Sequence, residues 1–355
     1  KEAMSSHIDD DGFTREGSIP YSIFILDCLL CIKIIGYKFI DKKILKMFES
    51  FYHISDDEYF IPAFGDISTE RLIDFDNDNM ILSAKTVNDS ISNIYKLNKS
   101  KGASFTSLSS LLINGKHLND ISKIKPKYGS IIYKNNYVIY SKTWGKLVFD
   151  IGDIGLNGRG GHGHCDIGSF VLSDKEIKVI VDPGSYLYSA DISIRDDYRS
   201  SKKHNILSFN DYEICDLADL FTINNHPKIN FTNNSNGFEI ALTINNNQIK
   251  NANILRKIEI NNNGFSIFDS WEPRLNSCQN FFFHPEINLI KYKNEIILSY
   301  RSKNIWKILF SVDSSQILLK EYKYSERYGI SIDAINLCIS FDESKKGNLI
   351  EFIKI

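Results

Sequence analysis

Residues 158–205 read GRGGHGHCDIGSFVLSDKEIKVIVDPGSYLYSADISIRDDYRSSKKHN. Inside this stretch, GSFVLSDKEIKVIVD is rich in Val, Ile and Phe and ends at the turn pair Pro183-Gly184. Apolar runs of this length, bounded by turn formers, are strands. The same texture extends outward from about residue 128, in GSIIYKNNYVIYSK, KLVFDIG, HNILSFNDYEI, FEIALTI, ILRKIEINNNGFSIFDSW and KILFSV. Two or three residues of turn chemistry between alternating strands are hairpin signals. About a dozen such strands predict a large antiparallel sandwich.

Upstream the period changes. Apolar residues recur at helical spacing from Tyr21 to Ile35 and from Ile40 to Phe51, and a third helix is expected over Asn79 to Leu97. Between the second and third, SDDEYFIPAFGDISTERLID carries turn formers and acids and reads as an ordered loop. A polar connector follows from Asn98 to Lys127. The expectation is an α+β chain of two parts: helices and connector over 1–125, and the antiparallel sandwich over 126–355.

The 355 residues carry 43% apolar and 24% charged side chains, with a formal net charge of -2. That balance is ordinary for a globular protein and gives no global drive toward nucleic acid or an anionic membrane. The longest apolar run, Tyr21 to Tyr37, is broken by Asp27 and Lys33 and reads as a buried helix rather than a membrane span. The chain opens at Lys1, in what reads as the middle of a domain, so its N-terminus is expected to lie elsewhere and the compartment is not legible from a leader. The six cysteines are scattered and do not suggest a disulfide framework. Cys28 and Cys31 form a C-x-x-C inside an apolar helix, where packed thiols are expected.

His162 and His164, set among Gly160, Gly161 and Gly163, would share one face if they lay on a strand. By itself an H-x-H pair is more simply two satisfied polar residues near a turn. Asp182 ends the strand VIVD and His204 opens HNILSF, so three neighbouring strand ends could bring His164, Asp182 and His204 to one metal. Imidazole and carboxylate ligands suit zinc. His7, His53, His117, His226 and His284 lack such company, and surface or structural roles are expected for them. A cupin barrel also uses H-x-H, but needs a glutamate three or four residues later, where this chain has Ile167 and Gly168.

On the pieces GGHGHCDIGSF, VDPGSYLY, YRSSKKHN and DGFTREGSIPYS, the chain resembles the heparinase II/III-like polysaccharide lyases, which include alginate lyases. The resemblance implies the last helices of an incomplete (α/α) toroid followed by the whole sandwich, with a substrate cleft between them. It places a mainly structural Zn2+ on His164, Asp182 and His204, and sets His162 against the substrate. Tyr21 matches the helical-domain tyrosine of proton transfer. Tyr188 is the first choice for the sandwich tyrosine, ahead of Tyr186 and Tyr198. Arg199 is a candidate, with His162, for neutralising a substrate carboxylate. Glu16, Tyr186, Arg195 and Tyr198 are expected to contact substrate. Ser22 departs from the histidine that many relatives carry after the helical tyrosine, and the family's toroid Asn-His pair would lie upstream of Lys1.

A uronate lyase removes the proton beside a carboxylate and expels the neighbouring glycosidic oxygen. The carboxylate must be neutralised, a base must take the proton, and an acid must serve the leaving oxygen. The resemblance therefore implies an acidic polysaccharide or oligosaccharide as partner and a periplasmic or secreted enzyme. A non-catalytic glycan-binding member of the same family is the alternative, and a cupin-like metal enzyme a more distant one. The sequence leaves the glycan, endo or exo cleavage and the oligomeric state open.

Overall fold

A computed structural model describes residues 6–34, 41–55, 61–67, 129–133, 136–156, 158–175, 177–312 and 316–355. The expected third helix, the connector and the expected boundary at 125/126 lie outside the described residues.

Helix α1 (Ile19–Ile34) starts where the sequence signals it. The Ser18 hydroxyl accepts from the Tyr21 N–H at 3.2 Å, and Pro20 sits in the first turn, where a missing N–H loses no intrahelical bond. Helix α2 (Asp41–Ile54) buries Ile44, Met47, Phe51 and Ile54, spaced three or four apart, on one stripe.

The sandwich begins with a five-stranded meander: β1 (Gly129–Tyr133), β2 (Tyr137–Lys142), β3 (Gly145–Asp150), β4 (Phe170–Asp174) and β5 (Ile177–Ile180), all antiparallel and in sequence order. After it come helix α3 (Ile192–Arg199) and strand β6 (Leu207–Phe209). A small ribbon follows, β7 (Asp216–Asp219) with β8 (Thr222–Asn224). The remaining strands are β9 (Lys228–Asn234), β10 (Gly237–Ile244), β11 (Ala252–Asn261), β12 (Gly264–Glu272), β13 (Ser277–Phe282) and β14 (Asn288–Lys291), then β15 (Glu295–Tyr300), β16 (Lys303–Phe310), β17 (Ile317–Arg327), β18 (Ile330–Phe341) and β19 (Gly347–Lys354). They build an eight-stranded sheet in the order β14-β15-β16-β19-β12-β11-β10-β9 and a four-stranded sheet in the order β17-β18-β13-β6. These are open-edged sheets and not one closed barrel, which sets the cupin alternative aside.

The five-stranded sheet is buried on both faces. Because side chains alternate along a strand, Val138, Phe149 and Phe170 form one row against the core shared with the eight-stranded sheet. Ile139, Val148 and Val171 form the adjacent row on the opposite face, against Phe13, Ile23 and Met47 of the helical segment. That explains why β2 reads as an unbroken apolar run, YVIYS, without polar alternation.

The cysteine expectation needs correction. Cys165 is paired with Cys215 and Cys278 with Cys338, across 50 and 60 residues of sequence. Scatter along the sequence hid these pairs because antiparallel topology brings distant positions together: β13 and β18 are direct neighbours, in a register that sets Cys278 opposite Ser340 and Asn280 opposite Cys338. Closing a loop of 50 residues removes denatured-state entropy worth about 4 kcal/mol. The Cys165→Ala/Cys215→Ala variant is accordingly expected to lose up to about 4 kcal/mol in urea unfolding. Equal midpoints with and without the pair would rule out a stabilising role for it.

Candidate active site and metal centre

Three segments meet around His162: residues 14–22, residues 61–67, and the glycine-rich loop 158–168. Backbone pairing fixes their contact, since the His162 N–H donates to the Glu16 carbonyl at 3.0 Å and the Asp66 N–H to the His162 carbonyl at 2.8 Å. The Ser18 hydroxyl that caps α1 also donates to the Asp66 carbonyl at 2.7 Å. Gly65 has φ +74°, and a Cβ there would come within 2.6 Å of the Gly17 and His162 carbonyl oxygens. Only glycine fits that crossing.

His162 and His164 do not lie on a strand, contrary to expectation. Left-handed backbone at Gly160 and Gly161, at φ +99° and +70°, folds the segment into a loop. The two rings still converge, because both reach the same carboxylate. Asp66 Oδ2 lies 2.9 Å from His162 Nδ1, and Asp66 Oδ1 lies 2.9 Å from His164 Nε2. Arg195 donates to both oxygens of Asp66, to Oδ2 at 2.7 Å. Four donors thus fill the acceptor positions of one fully buried carboxylate. Burial alone would raise the Asp66 pKa, but the hydrogen bonds from His162, His164 and the Arg195 guanidinium hold it well below the usual carboxylate range.

Asp66 is the residue that sequence reasoning missed. It stands in an acid-rich loop, and nothing in that loop distinguishes it from the neighbouring acids.

The His162 ring is stacked on Tyr21 at 3.5 Å between centroids, with Phe221 edge-on at 5.8 Å and Tyr188 at 6.5 Å. Asp66 engages Nδ1, so Nε2 is the ring nitrogen on the side away from the carboxylate. The Tyr188 hydroxyl donates to the Ile67 carbonyl at 2.5 Å, and burial, the Asp66 charge and Tyr21 push its pKa above the ordinary tyrosine value. Arg195 lies under the Tyr188 and Phe221 rings at 5.0 and 5.2 Å.

The other expected residues fall around this centre. Glu16 pairs with His7 at 3.1 Å. Tyr186 adopts φ 52° and has Tyr198 beside it, at 6.1 Å between rings. The Tyr198 hydroxyl donates to the Lys323 carbonyl. Arg199 is fully buried, and its guanidinium donates to Asp196 and to the carbonyls of Leu220 and Asp219. Those bonds turn it away from open solvent, so it ties α3 to the loop before β8.

His164, Asp182 and His204 bring one ligand atom each to within 4.8 Å of one another, all three residues buried. His204 Nδ1 is hydrogen-bonded to Asp182 Oδ2 at 2.7 Å. This bond, and the Asp66 contact on His164 Nε2, occupy one nitrogen of each ring. The other nitrogens, His164 Nδ1 and His204 Nε2, are buried with no hydrogen-bond partner. Orphaned buried acceptors are costly, and a cation between them would satisfy both, so the donor set fits a metal. Burial lowers the His164 pKa to about 4, keeping the imidazole neutral as a ligand must be. For His204, burial acts downward but the Asp182 and Asp166 charges outweigh it and the pKa rises. Asp166 lies beside the cluster. Burial lifts its pKa to about 7, with His204 opposing and Asp182 reinforcing the rise.

Asn205 supports this geometry from behind. Its amide donates to the Phe170 and Val181 carbonyls and accepts from the Phe282 N–H, tying β4, the end of β5 and β13 together beneath the cluster.

No curated protein matches the chain. Among solved structures it is similar in fold to the heparan sulfate lyase HepC from Pedobacter heparinus, at 17% identity and a TM-score of 0.70, covering 99% of this chain and 54% of that one. It is likewise similar to a heparinase III, at 14% identity and a TM-score of 0.67, covering 100% of this chain and 56% of that one. The chain therefore spans about half the length of these relatives. The family described as Heparinase II/III-like, C-terminal, matches residues 133–352, which is more than half of the chain, and the protein belongs to that family.

Proposed function

We propose that this chain is the C-terminal part of a polysaccharide lyase that cleaves an acidic, uronate-containing glycan by β-elimination. The observation that carries the reading is the stack of Tyr21 on His162, with Asp66 behind the imidazole and the His164–Asp182–His204 cluster beside it. In this reading residues 1–125 supply the last toroid helices and 126–355 the sandwich.

His162, oriented through Nδ1, presents Nε2 to the substrate carboxylate and opposes the charge that would otherwise resist carbanion formation. Tyr21 takes the C5 proton and returns a proton to the leaving oxygen. We assign this role to Tyr21 over Tyr188, because the Tyr188 hydroxyl is already donated to a backbone carbonyl and its ionisation is disfavoured by burial. Tyr186 and Glu16, both half-buried, line the approach, while buried Arg195 holds Asp66, Tyr198 packs beneath Tyr186 and Arg199 braces α3. Zinc on His164, Asp182 and His204 would supply a fixed positive charge that locks the loop carrying His162. The two disulfides suit an oxidising compartment, which supports a periplasmic or secreted location.

The test uses the full-length protein on uronate-containing glycans. Elimination leaves a 4,5-unsaturated end that absorbs in the ultraviolet, whereas new reducing ends without that absorbance would identify a hydrolase. Tyr21→Phe is expected to lower kcat by about 10²–10⁴-fold, the range of a general acid–base group, with metal content unchanged. A non-catalytic glycan-binding member is the second reading. It is favoured by Ser22, whose hydroxyl is spent on the Ser18 carbonyl and Thr14 where many relatives carry a histidine. Glycan affinity without turnover in the full-length protein would select it.

A further inference from the structure

At the far end of β4 and β5 from the metal cluster, the start of the β4–β5 turn, the β15–β16 hairpin and the end of β19 line an open cavity of about 710 Å³. The seven steps from Lys175 to Asp182 span at most about 23 Å, at roughly 3.3 Å per strand residue. Its lining includes Lys175, Arg301, Lys303 and Lys354, with Asp174 as the acid and Tyr300 as an aromatic wall. Asp174 is buried and already engaged: its Oδ2 accepts from Lys354 Nζ at 2.6 Å and from the Trp306 indole at 3.1 Å. Lys354 Nζ also donates to the Ile305 carbonyl at 3.0 Å, so the floor is a fixed ion pair. Lys175, Arg301 and Lys303 are exposed, and among the described residues no carboxylate pairs with them. Among the described lining residues four cations stand against one acid, in a chain whose net charge is -2.

The backbone supports a dedicated role for these cations. Arg301 and Ser302 form the two-residue hairpin turn between Tyr300 and Lys303, at φ 46° and 64°. Asn-Gly is the favoured pair for such a turn. Lys175 also sits at positive φ, 57°. This chain uses asparagine and glycine freely in its other turns, as in NNNG at 261–264. Long cations at left-handed positions hold backbone strain of the kind that collects at ligand-binding turns. Arg301 is further ordered over the Tyr300 ring at 5.0 Å.

We infer that this cavity is a second binding site, remote from the cleft, for an anionic sugar unit of the same acidic polymer, held through its carboxylate or sulfate group by Lys175, Arg301 and Lys303. The inference rests on the proposed glycan specificity. A unit bound here would tether the polymer while the cleft acts on another stretch of it, a gain of effective concentration and not of chemistry.

The full-length protein, its Lys175→Ser/Arg301→Ser/Lys303→Ser variant and a His162→Ala variant are titrated with polygalacturonate, which offers carboxylates only, and with heparan sulfate, which adds sulfates. The triple variant is expected to keep its melting temperature and its turnover of short uronate oligosaccharides. Its affinity for the long polymer that binds should fall about tenfold or more at about 50 mM salt and less at high salt, as an exposed charge contact requires. In the unsubstituted protein that polymer should slow acylation of Lys175 and Lys303, read by mass spectrometry. Unchanged affinity and unchanged acylation, with elimination intact, would overturn the second site alone. Absence of both binding and elimination with every uronate glycan would overturn it together with the lyase reading.

Discussion

Asp66→Asn is expected to cost about 3–5 kcal/mol of stability and to abolish most activity. The two losses have separate origins. Arg195 has no exposure, and its two contacts to Asp66 are what balance its charge. Removing one partner of a buried pair leaves the other charge desolvated and unpaired, which costs about 3–5 kcal/mol. Activity falls because the amide no longer fixes His162 Nδ1 and His164 Nε2 at once. An orienting buried carboxylate behind a catalytic histidine is worth up to about 10⁴-fold in kcat. Asp66→Asn/Arg195→Met separates the effects, since removing both charges should restore most of the stability and none of the activity. If Asp66→Asn alone unfolds in urea like the unsubstituted protein, the carboxylate is not the centre of this network.

The same residue fixes a pH dependence. A carboxyl whose folded pKa is depressed contributes stability that is complete above its unfolded pKa of about 4 and is lost as pH falls through the folded value. Unfolding free energy should therefore decline below about pH 4, and Asp66→Asn should flatten that limb.

His164→Ala should empty the metal site and lower the melting temperature together. A ligand that binds only the folded chain adds about 4 kcal/mol when its free concentration is a thousand times Kd. Losing one of three ligands in a fully buried set should remove most of that contribution. Chelation of the unsubstituted protein should reproduce the loss, while His164→Ala should gain nothing further from chelator. Acidification below about pH 6 should release the ion, because protons compete for imidazole nitrogen. Elemental analysis showing no stoichiometric metal, with a chelator-insensitive melting temperature, would sink the metal assignment.

The sequence reports local order well and long-range pairing poorly. Helices α1 and α2, the hairpin succession after residue 128 and the convergence of His164, Asp182 and His204 all announce themselves through periodicity, turn residues or ligand chemistry. Asp66 does not, because its role comes from four donors that arrive from residues about 100 or more positions away. The disulfides fail for the same reason. The placement of His162 and His164 on a strand fails differently: period-two spacing is shared by strands and by glycine-rich loops, and only the left-handed backbone separates them.

The two-faced burial of β1–β5 has one more consequence. A recombinant polypeptide starting at residue 129 would present Tyr133, Tyr137, Ile139, Val148 and Val171 to water as one contiguous greasy wall. The helices at 19–34 and 41–54 and the sheet that begins at residue 129 therefore share one core, and a chain cut between them would expose it.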